Sequence, residues 1–308
     1  MDNRSVYVVS EDLHLLLGLW SRQRFGRDLS LPYEKIREDL ERILGFGDHK
    51  VIRITEDQML HGIAGLLENE RRPIVSVDPV YWPTGLMLQI TRCVDPVALC
   101  SVEGFYSRFG FPHPDVQVTS IVERLRGNPG GFDGQMVLVD DVVFSGKVVG
   151  EVVRRLAEYD TRVVRVVCGV AVVAEGSDPF EMCARLGASL DAAHTFGAEG
   201  MPPVVDEICE RDFFVFCPMC GRSAMVDDAN LCFPYIDPFG RAGSWASFGE
   251  SSVRVSRELI GLNIRVVQMI EREIGRDLFF ADLDRIPVLV RHPAVNSDSV
   301  RLHLLAHV

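Results

Sequence analysis

The sequence predicts an α/β protein: a doubly wound, mostly parallel sheet carrying N- and C-terminal elaborations. Three observations lead there. Residues 136–139, Met-Val-Leu-Val, read as a strand apolar on both faces, and residues 163–173 form a second such run broken only by Arg165. Strands of that kind belong to parallel sheets covered by helices. Between them, residues 146–158 carry Val149, Val152, Val153 and Leu156 at helical spacing. Strand, helix, strand in that order make a βαβ unit.

The rest of the chain is read in order. Residues 5–10 suit a short strand, and residues 11–23 space Leu13, Leu16, Leu17 and Trp20 as a helix does. A second helix is expected over 33–44, opened by Leu31-Pro32. Residues 50–54 read as a strand and 56–69 as a helix with Thr55 as its N-cap. A strand at 73–77 is followed by the loop Asp78-Pro-Val-Tyr-Trp-Pro83, a helix over 84–91 and a strand over 98–102. Residues 106–115 read as a loop rich in aromatics and prolines, 117–124 as a strand or short helix, and 179–186 as a helix. Residues 252–274 form a long helix with Leu259, Leu262, Val266, Met269 and Ile270 on its apolar face. Late strands are expected at 287–290 and 302–305. The organisation is thus a helical N-terminal extension (1–50), a core (51–200) and a C-terminal elaboration (201–308) with a CxxC knuckle and the long helix.

Composition narrows the function classes. Across 308 residues, 32 Lys and Arg face 44 Asp and Glu, a formal net charge of −12. Phosphate backbones repel such a surface, which argues against nucleic-acid partners and leaves only a local basic pocket for an anion. Just three of the basic residues are lysines: Lys35, Lys50 and Lys147. No run reaches the roughly 18 apolar residues of a membrane span. Eight cysteines without a secretory signal pattern suggest reduced thiols or metal ligands, and a cytoplasmic protein is expected.

The chemistry concentrates in residues 136–149, MVLVDDVVFSGKVV. Asp140 and Asp141 stand where the strand is expected to end, the edge at which open α/β sheets bind ligands. A short loop of Val143, Phe144, Ser145 and Gly146 then enters a helix whose N-terminus suits phosphate. Ser145 adds a hydroxyl, Gly146 permits close backbone approach, and Lys147 brings an ammonium group. Carboxylates just before a phosphate cradle suit a phosphorylated sugar. A Walker A loop is excluded by Asp141 and Val148, and no GxGxxG follows a predicted strand.

This segment resembles the phosphoribosyl-pyrophosphate (PRPP) loop of type I phosphoribosyltransferases: a hydrophobic strand, an acidic pair, a short spacer, then Ser or Thr with Gly. It departs at Val148, where most members carry a hydroxyl. Further on, Cys168-Gly-Val-Ala-Val-Val-Ala174, Leu186-Gly-Ala-Ser-Leu190 and His194-Thr-Phe-Gly-Ala-Glu199 look like the tail of orotate phosphoribosyltransferase-like domains. The similarity spans about residues 51–200. It implies a type I phosphoribosyltransferase kind of fold, with Asp140 and Asp141 on the ribose hydroxyls. It also implies Val143, Phe144, Ser145, Gly146, Lys147 and Val148 around the 5′-phosphate, and Mg²⁺ bridging ribose and pyrophosphate. The position of the family's pyrophosphate loop falls at 78–85, with Asp78, Tyr81 and Thr84 as candidates. Asp78 there would either contact a metal or simply make a turn. The acceptor hood falls at 106–115, with Tyr106, Arg108 and His113. Phe144 occupies the place of an aspartate in hypoxanthine-guanine enzymes, which argues against that purine subclass.

The implied function is a Mg²⁺-dependent phosphoribosyltransferase acting on PRPP and a small nucleobase-like or other heteroaromatic acceptor. The alternatives are a non-catalytic PRPP- or nucleotide-binding regulatory protein with the same fold, and a phosphohydrolase using the acidic pair for metal. Family members are commonly homodimers, and the N-terminal helices or the 252–274 helix could supply the interface. Cys217 and Cys220, two thiols on a tight turn, are half of a structural Zn²⁺ site, with Cys209 and Cys232 the nearest completing ligands. The aromatic stretch 234–248 either closes over the acceptor or packs the C-terminal region.

Overall fold

The computed structural model describes residues 5–46, 49–78, 80–93, 104–108, 111–128, 130–174, 176–215, 223–226, 229–232, 234–240, 242, 247–283, 286–287 and 298–308. In chain order the elements are β1 (Val6–Ser10), α1 (Leu13–Phe25), α2 (Tyr33–Leu44), β2 (Lys50–Ile54), α3 (Glu56–Leu67), β3 (Ile74–Ser76), β4 (Ile90–Cys93), β5 (Gly104–Ser107), α4 (Pro114–Arg126), β6 (Gln135–Val143), α5 (Lys147–Ala157), β7 (Arg162–Val172), α6 (Pro179–Arg185), β8 (Ser189–Phe196) and β9 (Val204–Cys209). They continue with β10 (Ser223–Val226), β11 (Ala229–Cys232), α7 (Ser252–Ile274), α8 (Phe280–Leu283), β12 (Ile286–Pro287) and α9 (Val300–Leu305). Two compact units result. One comprises residues 1–5, 54–92 and 105–204; the other gathers 6–53, 93–104 and 205–308, so N-terminal and C-terminal segments share it.

The first unit is the α/β body. Its sheet has the order β3-β6-β7-β8, and every pairing is parallel. The apolar pattern explains this. Met136, Val137, Leu138, Val139, Val166 and Val167 are all fully buried, as strands covered on both faces require. On one face, Val118, Ile121, Val122 and Leu125 of α4 and Val149, Val152 and Leu156 of α5 share a core with Leu138, Val166 and Cys168. Burying each such side chain contributes about 1.5–3 kcal/mol. On the opposite face of the pleat, α3 lies so close that a Cβ at Gly62 would overlap that of Ala193. Thr55 caps α3 as expected, its hydroxyl accepting from the Gln58 N–H while Gln58 Oε1 accepts from the Thr55 N–H.

The second unit holds a three-stranded sheet, β2-β1-β9, with α1, α2 and α7. Its core carries buried ion pairs: Arg37 Nε to Glu210 Oε1 at 2.9 Å and Arg211 Nη1 to Asp12 Oδ2 at 3.2 Å. Burial raises the Asp12 carboxyl well above its usual range, and Arg211 opposes that shift. Tyr235, Ile236, Phe239 and Phe248 are buried, with Phe248 stacked on Phe213, so the described part of the 234–248 stretch packs this unit.

Several expectations are corrected. Residues 84–91 are not a helix: Leu86, Leu88 and Ile90 alternate at a strand's period, Met87 bridges Ser76 in parallel, and β4 begins at Ile90. Residues 302–305 belong to a helix, because Ser299 accepts from the Leu302 N–H and Val300 and Leu304 share the buried face. Of the strand or helix expected at 117–124 the helix holds, within α4, whereas part of the 106–115 loop is strand β5. Residues 189–196, which lack a marked apolar run, form strand β8. The strand expected at 98–102 and residues 288–290 lie outside the described residues, as do Cys217 and Cys220.

Candidate functional site

β6 does not stop before its acidic pair. It runs nine residues to Val143, because the eleven-residue β7 still offers partners: Asp140 pairs Cys168, Val142 pairs Val170 and Val143 pairs Ala171. Asp140 and Asp141 are therefore strand residues at the carboxyl end of a parallel sheet. Asp140 is buried at 7% exposure and Asp141 is half-buried. Asp140 Oδ1 accepts from the Asp141 N–H at 3.0 Å, and Asp141 Oδ1 accepts from the Val142 N–H at 2.8 Å. Burial pushes the Asp140 carboxyl well above its usual range, the neighbouring Asp141 and then Asp78 add to this, and Arg108 opposes it. Asp78, Arg108, Asp140 and Asp141 thus converge electrostatically, although they come from three separate stretches of chain.

The loop after β6 turns into α5 at Gly146, whose φ of 65° is left-handed. No side chain caps α5, so its first N–H groups face outward with the positive end of the helix dipole. Ser145 and Lys147 are exposed, and neither side chain has a hydrogen-bond or ion-pair partner among the described residues. Val148, where a hydroxyl was lacking, is half-buried and packs against the core. Phe144 is half-buried, and its carbonyl accepts from Ser177 Oγ at 3.5 Å.

The candidate pyrophosphate loop is organised differently from a phosphate cradle. Asp78, 1% exposed, accepts from the Val80 N–H on Oδ1 (2.8 Å) and from the Tyr81 and Trp82 N–H groups on Oδ2 (2.5 and 2.9 Å). The Thr84 hydroxyl donates to the Leu86 carbonyl and accepts from the Leu86 N–H. Tyr81 is buried. The turn reading of Asp78 therefore describes its contacts: it shapes its own loop.

In the candidate hood, Gln117 is the organiser, and no sequence motif marks it. Its Oε1 accepts from the Gln89 N–H at 2.8 Å and its Nε2 donates to the Pro112 carbonyl at 2.8 Å. Gln89 Nε2 donates to the Val77 carbonyl at 2.9 Å. This buried chain ties the end of β3 to the 108–113 loop. The Arg108 N–H donates to the Gln89 carbonyl at 3.0 Å, whereas His113 caps α4 at the surface, its Nδ1 accepting from the Asp115 N–H. Tyr106 lies half-buried on β5.

Cys209 is buried in the second unit, but its proposed companions Cys217 and Cys220 lie outside the described residues, so the zinc set is not assembled here. Among the described residues no group of three or more His, Cys, Asp or Glu side chains could hold a metal. A hard cation at Asp140–Asp141 would then need ligand oxygens as well, which is the usual way Mg²⁺ binds beside phosphates.

No protein-family model matches the sequence, and no curated protein matches it. Among solved structures, the chain is similar to an orotate phosphoribosyltransferase from Aeropyrum pernix, at 17% identity over 44% of this chain and 69% of that one, with a TM-score of 0.24. It is also similar to the UMP synthase of Leishmania donovani, at 14% identity over 51% of this chain and 29% of that one, again with a TM-score of 0.24. These likenesses touch no individual residue, so the functional argument rests on the site itself. No helix among the described residues is long and apolar enough to cross a membrane.

Proposed function

We propose that the first unit binds PRPP and transfers its 5-phosphoribosyl group to a planar heteroaromatic acceptor, releasing pyrophosphate. The observation that carries the reading is the run from the acidic pair of β6, one buried and one half-buried, through a left-handed glycine, into an uncapped helix flanked by exposed Ser145 and Lys147. Asp141 accepts from ribose hydroxyls, and Asp140 supports it through the Asp141 N–H. The α5 amides, Ser145 and Lys147 hold the 5′-phosphate. Arg108 offsets the negative charge gathered at Asp140. Asp140 and Asp141 fit a Mg²⁺ ion carried in by the ligand: two carboxylates of which one is half-buried, in a cluster whose mutual repulsion a cation relieves. When bound, Mg²⁺ would neutralise pyrophosphate charge. In the transfer, the C1–pyrophosphate bond breaks as an acceptor nitrogen bonds C1, and the acceptor's proton leaves. The chain's part is alignment and charge stabilisation.

One observation favours a second reading, PRPP binding without turnover. The Val80, Tyr81 and Trp82 N–H groups are donated to Asp78 and are not free to receive a leaving pyrophosphate. Calorimetric titration with PRPP, with and without Mg²⁺, tests the binding. Mg²⁺-dependent binding with pyrophosphate release on adding heteroaromatic bases is expected for the enzyme, and binding without release for the sensor. No binding under either condition would overturn both.

A further inference from the structure

The phosphate loop has little holding it from its own sequence. No side chain caps α5, and Ser145 and Lys147 point to solvent. Its support comes from another helix. A Cβ at position 146 would overlap Met182 Cε and lie 3.1 Å from its Sδ and 3.3 Å from its Cγ. The Met182 side chain therefore fills the space that any other residue at 146 would need. Met182 itself is firmly placed. Asp178 caps α6 through Oδ1, accepting from the Phe180 and Glu181 N–H groups at 2.8 and 3.2 Å. The next residue, Cys183, is fully buried in the core that also takes in Met182. Just before the helix, Ser177 Oγ reaches the Phe144 carbonyl, so residues 177–182 meet the loop at two points.

The device recurs under the acidic pair. At Gly169 of β7 a Cβ would overlap Met59 of α3, with its Sδ at 2.6 Å, and would lie 3.0 Å from the Asp141 carbonyl. An unbranched thioether, flexible and polarizable, fills such gaps beside glycine.

We propose that Met182 is a positioning residue for the phosphate site. Packed against Gly146, it fixes the left-handed turn that aims the α5 amides and presents Ser145 and Lys147 outward. The phosphate role of that loop rests on the function proposed above; the mechanical role of Met182 does not.

Two readouts separate these. The first is hydrogen–deuterium exchange of the loop amides in ligand-free protein, which needs no ligand. Met182→Ala is expected to speed exchange at residues 145–148, and Met182→Leu, which restores the volume, to return it near wild type. The second is PRPP affinity with Mg²⁺. Met182→Ala should weaken it by about tenfold through misplacement of binding groups, with Met182→Leu within about twofold of wild type. A double-mutant cycle adds a check. Gly146→Ala should bind poorly, since its left-handed φ strains any side chain, and Met182→Ala in that background, which removes the overlap, should cost less than it does beside Gly146. Unchanged exchange in Met182→Ala, or equal damage from Ala and Leu, would overturn the assignment. A wild type that binds no PRPP would overturn the proposed function, and the exchange result alone would then decide the role of Met182.

Discussion

Asp140 and Asp141 are adjacent in the chain but unlike in situation. Asp140 is buried, its Oδ1 accepts from the next N–H, and its carboxyl is pushed toward the neutral form. Asp141 is half-buried, and its Oδ1 accepts from the Val142 N–H. As the more exposed of the two, Asp141 is the one proposed above to meet the ribose. Asp141→Asn keeps the Oδ1 acceptor for Val142 and removes only the charge, so the melting temperature should stay near wild type. PRPP affinity measured by calorimetry should fall by the ~1–3 kcal/mol typical of losing a charged partner. An unchanged affinity would remove the ribose assignment. The sequence made this pair visible because the motif is local. It did not show that the Arg108 charge opposes the shift at Asp140, since the Arg108 backbone is held by Gln89, and Gln89 by Gln117, polar residues with no pattern of their own.

At the scale of elements, legibility followed periodicity. Helices α2 and α7 carry amphipathic spacing and α3 opens on the Thr55–Gln58 capping box, which makes those bounds readable. The 84–91 stretch is ambiguous in sequence because Leu86, Leu88 and Ile90 suit either a short helix or an alternating strand until β3 supplies a partner for Met87. Strand β8 was given no element because seven of its eight residues are only half-buried or exposed, so it lacks the apolar run that marked β7. What joins these elements is polar and equally hidden from sequence. Just past α3, Glu70 accepts from Arg72 Nε at 2.7 Å and from Arg165 Nη1 at 3.2 Å; Arg165 in turn donates to Asp191 Oδ2 at 2.6 Å and to the Leu66 carbonyl at 3.0 Å. This ties α3 to β7 and β8. The Arg72 hydrogen bond, with help from Arg165, lowers the Glu70 carboxyl from 4.5 to about 2. A lowered carboxyl binds its proton less readily when folded, so its contribution is present above 4.5 and is lost as pH falls toward 2. Glu70→Gln should destabilise the protein at pH 7 by about 1–3 kcal/mol. Its acid unfolding should also lose slope across that window relative to wild type, read by circular dichroism. Identical acid limbs in the two proteins would show that the tie carries no charge-dependent stability.

At the scale of the whole molecule, the path of the chain matters most. Residues 6–53 build one unit, 54–92 and 105–204 the other, and 205–308 rejoin the first, so N- and C-terminal segments that read as separate additions share a core. The α/β unit holds a core of its own. The cluster running from Val75 to Leu190 joins β3, β6, β7, α4, α5 and α6 within the one unit, and Asp78, Arg108, Asp140, Asp141, Gly146 and Lys147 all fall between its limits. A chain of about 150 residues buries roughly 70% of the surface it exposes when unfolded, enough for independent stability. A fragment of residues 54–204 should therefore fold alone, with a cooperative thermal transition and near-ultraviolet dichroism from its packed aromatics. It should also titrate PRPP with Mg²⁺ as the full chain does. A fragment that keeps far-ultraviolet helix but binds hydrophobic dye and melts without cooperativity would be a molten state. That outcome would mean that the parallel sheet and its helices do not fix the site on their own, however complete their core.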